Sequence, residues 1–349
     1  MPSPIRVLMV TSEWPTPENP FGVPFLVQQV EFLRRAGVQV DVFFFRGAKR
    51  PINYFRAWWR FNQQFVHRRS QYDLVHAQFG QAALIPWPKL LPLIITFHGT
   101  DILGQLSPEG RMTLQGRILV WLGRMAAQFA DAVLIVSNEM RRNLPPSLPL
   151  HLHPTGVDLG SLPALTRRDA RQRLGLPLNE RLALFVGNPH DPLKRYARAQ
   201  QAVEVLNKRL PIRLILGWGR PHREILTMMY ACDLLVVTSL QEGSPTIVKE
   251  ALACDLPVVS VIVGDVVERL EGIDGCEVVP DDNLETIAVA MERTLRRSQR
   301  IEGRRSVEHL NEEVLADKLI GIYRSVLPRR EPASGSGSTA MSGNHMSSN

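Results

Sequence analysis

Leu234-Leu-Val-Val-Thr-Ser-Leu-Gln-Glu242-Gly-Ser-Pro-Thr-Ile-Val-Lys-Glu250-Ala-Leu-Ala253 is the stretch that decides how the rest of the chain is read. An apolar run, a Gly-Ser-Pro turn and an alanine-rich run, in that order, spell strand, tight turn and helix. Ser244 suits the N-cap and Pro245 the first helical turn, so the helix start should offer free N–H groups and a positive dipole end to an anion. Glu242 falls on the turn and Glu250 about a turn and a half into the helix, so both carboxylates can face one cleft and accept hydrogen bonds from a polyol.

The same alternation extends in both directions. Apolar runs at 7–10, 40–45, 74–77, 93–97, 132–136 and 150–154 alternate with helix-length segments such as 25–36 and 113–129. A second series follows at 182–186, 213–216, 234–238, 257–263 and 277–279. Strands separated by helices imply parallel β-α-β units around a buried sheet. The periodicity lapses over 161–177, which divides the chain into an N-terminal domain, 1–165, and a C-terminal domain, 166–311. A last amphipathic helix at 312–327 is expected to return to the first domain, and the Ser-, Gly- and Asn-rich residues 331–349 are expected to be disordered. The predicted fold class is therefore α/β, with two Rossmann-like doubly wound domains facing across a cleft. Ligands of such sheets bind at the carboxyl ends of the strands.

Composition removes several classes of function. With 44% hydrophobic and 21% charged residues the chain is neither disordered nor fibrous. The most apolar stretch, 84–97, is short and broken by Pro86, Pro88, Lys89 and Pro92, so it cannot span a bilayer. The N-terminus lacks the zones of a signal peptide, and a cytoplasmic location is expected. Cys232, Cys254 and Cys276 have neither metal nor disulfide spacing and read as small buried residues. The formal charge is +7, and residues 46–69 alone hold seven cations and no acid, so the excess is local and does not describe a nucleic-acid footprint. In that segment Tyr54, Trp58, Phe61 and Phe65 recur at helical spacing, with Arg56 and Arg60 on another face. This pattern fits two expectations equally: a core-packed amphipathic helix with a solvated basic face, or a segment 46–69 that docks on an anionic membrane surface.

The run from Glu242 to Ser260, preceded by Tyr230-Ala-Cys-Asp233 and followed by Val263-Gly-Asp-Val266, resembles the donor-site signature of the retaining GT-B glycosyltransferases of glycosyltransferase family 4. Gly22, Asp73-Leu-Val-His-Ala-Gln-Phe-Gly80, Phe97-His-Gly-Thr-Asp101, Ala130–Asn138 and Pro154-Thr-Gly-Val-Asp158 resemble that family's segments in the right order. The resemblance implies a sugar transfer from a nucleoside diphosphate to an acceptor hydroxyl, with anomeric configuration retained and no metal or other cofactor. It places Glu242 beside the transferred sugar, Glu250 on the ribose, and the backbone of Gly243, Ser244, Pro245 and Thr246, through its free N–H groups, toward sugar and diphosphate. It adds His98 near the reacting sugar, Asp101 as an orienting or acceptor-side group, and Gly22 on the donor side. Val186-Gly187-Asn188 through Lys194-Arg195 resembles the phosphate-binding turn, with Asn188 standing where the family has an arginine. Lys194 then carries the diphosphate charge and Arg195 is the expected compensation. The chain also lacks an Asp-x-Asp motif for a metal-held diphosphate. A nucleotide-sugar epimerase of the same fold, or a degenerate nucleotide-sugar-binding scaffold, fits the same residues.

Overall fold

The structure is a computed structural model and describes residues 4–47, 50–65, 67–297 and 299–328. The strands of the first half are β1 (Arg6–Thr11), β2 (Gln39–Phe44), β3 (Leu74–Gln78), β4 (Leu93–Phe97), β5 (Ala132–Ile135) and β6 (Leu150–Leu152). Those of the second are β7 (Leu182–Val186), β8 (Arg213–Gly217), β9 (Leu234–Val237), β10 (Val258–Val261) and β11 (Glu277–Val279). The sheets run β2-β1-β3-β4-β5-β6 and β11-β10-β9-β7-β8, parallel throughout. Read from its own first strand, each sheet has the order 2-1-3-4-5, and the first adds a sixth. Both are open doubly wound sheets whose switch points lie beside β1 and β7.

Helices cover both faces of the first sheet, so its strands are apolar on both sides. Along β1, Leu8 and Val10 join the core beneath helices Pro51–Phe65 and Leu114–Ala127, whereas Val7 and Met9 face helices Pro24–Arg35 and Glu312–Val326. The last helix thus belongs to the core of the first half, through Ala316, Leu319, Ile320 and Tyr323. It has an internal polar anchor: His76 Nδ1 lies 2.8 Å from the Tyr323 hydroxyl and His76 Nε2 lies 2.7 Å from Thr96 Oγ1. Burial, ahead of the charges of His153 and His98, holds His76 down to about 3, so it is a neutral member of this network.

Three sequence expectations change. The connection at 161–177 is not irregular throughout, because Arg167–Arg173 is a helix with a reciprocal capping box between Thr166 and Asp169. In the turn before helix Thr246–Ala253, Pro245 occupies the N-cap and the Ser244 hydroxyl caps nothing. It donates instead to Asp265 Oδ2 at 2.8 Å. The aromatic stripe of the basic segment is not free either. Phe61 and Phe65 are buried, and Tyr54 and Trp58 pack against the same core. Arg60 folds over the Phe43 ring and donates to the Phe44 carbonyl at 2.5 Å. The three cysteines are unpaired, with Cys232 and Cys254 buried. Among the described residues no helix is long and apolar enough to cross a membrane. Residues 331–349 lie outside the described residues.

Replacing Tyr323 by Phe removes one hydroxyl and leaves His76 Nδ1 without its partner in a dry core. Urea unfolding of Tyr323→Phe is expected to show a loss of about 1–3 kcal/mol. An unchanged midpoint would show that the final helix is held by its apolar face alone.

Candidate active site

The carboxyl ends of the two sheets face one another across a cleft of about 1130 Å³. One wall comes from the first half, with Gly22, Phe25, His98, Gly99 and Asp101. The other comes from the second, with Gly187, Lys194, Glu242–Thr246 and Glu250. The walls touch at Gly243. A Cβ on this residue would overlap the carbonyl oxygen of His98, so only glycine lets the turn after β9 approach the loop after β4 this closely.

Glu242 and Lys194 are the charged centre of the second wall. Lys194 Nζ donates to Glu242 Oε1 at 2.5 Å, and both side chains are largely shielded. Glu250, buried in helix Thr246–Ala253, accepts from His222 Nε2 at 2.7 Å through Oε1. Burial opposes the charge of the His222 ring, but the hydrogen bond and charge of Glu250 outweigh it and raise its pKa above the ordinary value. Trp218, half exposed, and Arg220 line the same end of the cleft.

On the opposite wall His98 follows β4. Its Nε2 is 2.7 Å from Gln78 Oε1, and an amide oxygen can only accept, so the imidazole carries its proton on Nε2. Burial, then the charges of His153 and Lys249, pull the ring down to about 3, which keeps it neutral. The rings of Phe25 and Phe79 flank it, with centroids 5.1 and 4.7 Å away.

Several predicted site residues have other tasks. Arg195 is spent outside the cleft, donating from Nε to the Thr238 carbonyl at 2.8 Å and from Nη1 to Asp282 at 2.7 Å. It caps helix Tyr196–Asn207 in a left-handed conformation and is not among the cleft-lining residues, so the compensation expected of it is not in place. Asn188 accepts from the His190 amide through Oδ1 at 3.0 Å and is not among the cleft-lining residues. Asp101 orients backbone and not the imidazole, because its buried carboxylate accepts from the amides of Gly80 at 3.0 Å, His98 at 3.1 Å and Gly99 at 2.8 Å. Burial raises its pKa in spite of those three donors. Gly22 lines the cleft directly before helix Pro24–Arg35.

Lys249 went unread in the sequence. It is fully buried, and its Nζ donates to the Thr155 carbonyl at 2.7 Å, Thr155 Oγ1 at 2.5 Å and Ser244 Oγ at 2.9 Å. A signal was present: a lysine between Val248 and Ala251 in a helix whose other buried residues, Glu250 apart, are apolar. Burial lowers its pKa to about 8 although the Asp265 charge supports it. His222 and Gln78 were also missed as individuals, since neither spacing nor neighbours distinguish them from ordinary polar residues.

The family model described as Glycosyltransferase Family 4 matches residues 5–161, and that described as Glycosyl transferases group 1 matches residues 116–297, more than half of the chain. The chain belongs to the group 1 glycosyl transferases. This family chain is 29% identical over 219 residues to a Bacillus subtilis protein assigned to teichuronic acid biosynthesis as the glycosyltransferase TuaC, covering 56% of this chain and 54% of that one. It is 26% identical over 261 residues to the D-inositol 3-phosphate glycosyltransferase of Mycobacterium tuberculosis, covering 60% and 51%. The chain thus spans about half the length of the curated relatives it matches. Sucrose-phosphate synthase from Thermosynechococcus elongatus superposes with a TM-score of 0.75 over 93% of this chain and 99% of that one, at 19% identity. Anabaena HepE in complex with UDP and glucose does so with 0.66, over 92% and 100%, at 17%. At these identities the likeness is one of fold, and it agrees with the two-domain GT-B architecture.

Two variants test how the walls are held together. Gly243→Ala should push the donor-side turn off the His98 carbonyl and abolish nucleotide stabilisation in a thermal-shift series, whereas full stabilisation would show that the walls can part without loss. Lys249→Met should destabilise by about 2–4 kcal/mol, since Thr155 and Ser244 lose a charged donor. Between pH 8 and 10.5 the unfolded chain binds the proton that the folded lysine gives up. Wild-type stability should therefore rise with pH by about 1 kcal/mol per unit relative to Lys249→Met. Parallel curves for the two proteins would contradict it.

Proposed function

We propose that the protein is a metal-independent, retaining glycosyltransferase that moves a hexose-type sugar from a nucleoside diphosphate to an acceptor hydroxyl. The observation that carries this reading is the pair Lys194 and Glu242, 2.5 Å apart beside the backbone of Gly243 to Thr246, with neutral His98 on the facing wall. A cation already resting on a carboxylate inside a cleft can change partners. When a diphosphate enters, its charge competes for Lys194 and frees Glu242 to accept from sugar hydroxyls.

In the proposed reaction the bond between the anomeric carbon and the diphosphate oxygen breaks, and the acceptor oxygen bonds to that carbon on the same face. The acceptor proton leaves with the departing diphosphate. Negative charge grows on the leaving group as the bond lengthens, where Lys194 and the helix N–H groups stabilise it more than in the ground state. Glu250, fixed by His222, is the acceptor for the ribose hydroxyls. The structural neighbour HepE, in complex with UDP and glucose, supports a nucleotide-sugar donor as the ligand class. A hydrogen-bonded, half-buried Lys194 and Glu242 in one cleft speak against a degenerate scaffold.

Turnover of a nucleoside-diphosphate sugar panel tests the reading. Glu242→Gln should lose about 100-fold or more in kcat with the fold intact, the scale of removing one transition-state contact. Lys194→Ala should weaken diphosphate binding far more than binding of the free nucleoside. Wild-type kcat in Glu242→Gln, or equal weakening of both ligands in Lys194→Ala, would overturn these roles. Epimerised sugar without any acceptor product would reassign the enzyme as an epimerase.

A further inference from the structure

Helix Leu114–Ala127 is built inside out. Its inner face presents Gly116, Gly123, Ala126 and Ala127, all buried. A Cβ on Gly123 would lie 2.7 Å from the Asp101 carbonyl oxygen, so the helix sits as close to the loop after β4 as backbone allows. Its outer face presents the large apolar residues. Leu114 is 74%, Ile118 49%, Trp121 60% and Met125 37% exposed, at a spacing that puts them on one stripe.

That stripe does not end with the helix. Phe129, 45% exposed, follows it and meets Trp87, its ring centroid 5.0 Å away. The Trp87 carbonyl accepts from Trp58 Nε1 at 2.8 Å and from Asn62, which joins this corner to helix Pro51–Phe65. The outer side of that helix adds Ile52, Phe55 and Trp59, each more than half exposed. Two helices and the loop between β3 and β4 thus form one apolar face on the first half, far larger than the scattered single residues normal on a soluble surface.

Charge along the two helices has one sign, and at the Phe129 corner Asp131 is neutralised by Lys89 at 2.8 Å. Residues 46–72 and 111–130 contain ten Lys and Arg and no Asp or Glu. Arg56, Arg117 and Arg124 are exposed, and none of them is in an ion pair among the described residues. A second copy of this chain would set cations against cations. A bilayer rich in anionic lipid satisfies both features, taking tryptophan and phenylalanine at the headgroup boundary and arginine at the phosphates.

We propose that the outer face of helix Leu114–Ala127, with Ile52, Phe55, Trp59, Trp87 and Phe129, seats the protein on an anionic bilayer. This seat differs from the one the sequence suggested, since the Tyr54, Trp58, Phe61 and Phe65 stripe is spent on the core and the free apolar residues lie on other faces. It is independent of the proposed chemistry but lies close to it, because the same helix rests on the Asp101 carbonyl behind the His98 loop. A membrane-borne acceptor could then reach the cleft from the wall that carries the seat.

Co-sedimentation of the full chain with vesicles of phosphatidylglycerol and phosphatidylcholine, against phosphatidylcholine alone, tests the proposal. Wild type should sediment with the anionic vesicles only, and less so as salt rises. Arg117→Gln with Arg124→Gln should weaken binding about thirtyfold, as expected for two cations at the surface. Ile118→Ser with Trp121→Ser should weaken it about tenfold or more. Both pairs are on the surface, so unfolding transitions and nucleotide stabilisation should match wild type. The proposal fails if wild type never sediments, if it binds neutral vesicles equally, or if both double variants bind as well as wild type. It also fails if wild type forms dimers without vesicles that Ile118→Ser with Trp121→Ser dissolves, which would give this face to a second copy.

Discussion

The ammonium of Lys249 is the interaction on which the arrangement of the two halves depends. An ion removed from water loses several kcal/mol of hydration, so it persists only while its oxygen partners stay in place. Those partners belong to two places: Thr155, where the chain passes from the first half to the second, and Ser244, in the turn that carries the candidate donor site. Ser244 is tied in turn to Asp265, and Asp265 to Arg269. A displacement of either wall of the cleft would strand a buried charge.

The passage between the halves is double, and its two legs run side by side. Val157 pairs with Asn311 as a parallel bridge, with amide bonds from Val157 to the Leu310 carbonyl and from Glu312 to the Val157 carbonyl. Gly156 faces the Glu312 side chain with no room for a Cβ. Burial raises the Glu312 carboxyl to about 7 even though Lys249 opposes it. The same few residues therefore govern both how the halves are linked and how the Gly243 turn meets His98.

The fold was legible because parallel strands buried on both faces leave unbroken apolar runs, and each of the eleven strands among the described residues overlaps a run visible in the sequence. Positions fixed by local chemistry were readable too, among them the Gly243 turn and the Glu242–Glu250 spacing. Roles fixed by long-range partners were not. Nothing near Arg195 in the sequence announces Asp282, and nothing near Asp101 says that its oxygens will be used up by three backbone amides. The basic segment stayed ambiguous for a related reason. A helical stripe of aromatic residues reads the same whether it faces a core or a lipid, and only the neighbouring strands decide.

The return of helix Glu312–Val326 to the first half has a consequence for how the molecule is made. Synthesis delivers the first half's strands early, yet one side of its core lacks Ala316, Leu319, Ile320 and Tyr323 until translation has passed residue 326. The second half, whose own core draws on residues 157 to 310, is complete before that point. On the ribosome the later half can therefore finish first, while the half begun earlier waits with Met9, Leu74 and Ile94 open on one face.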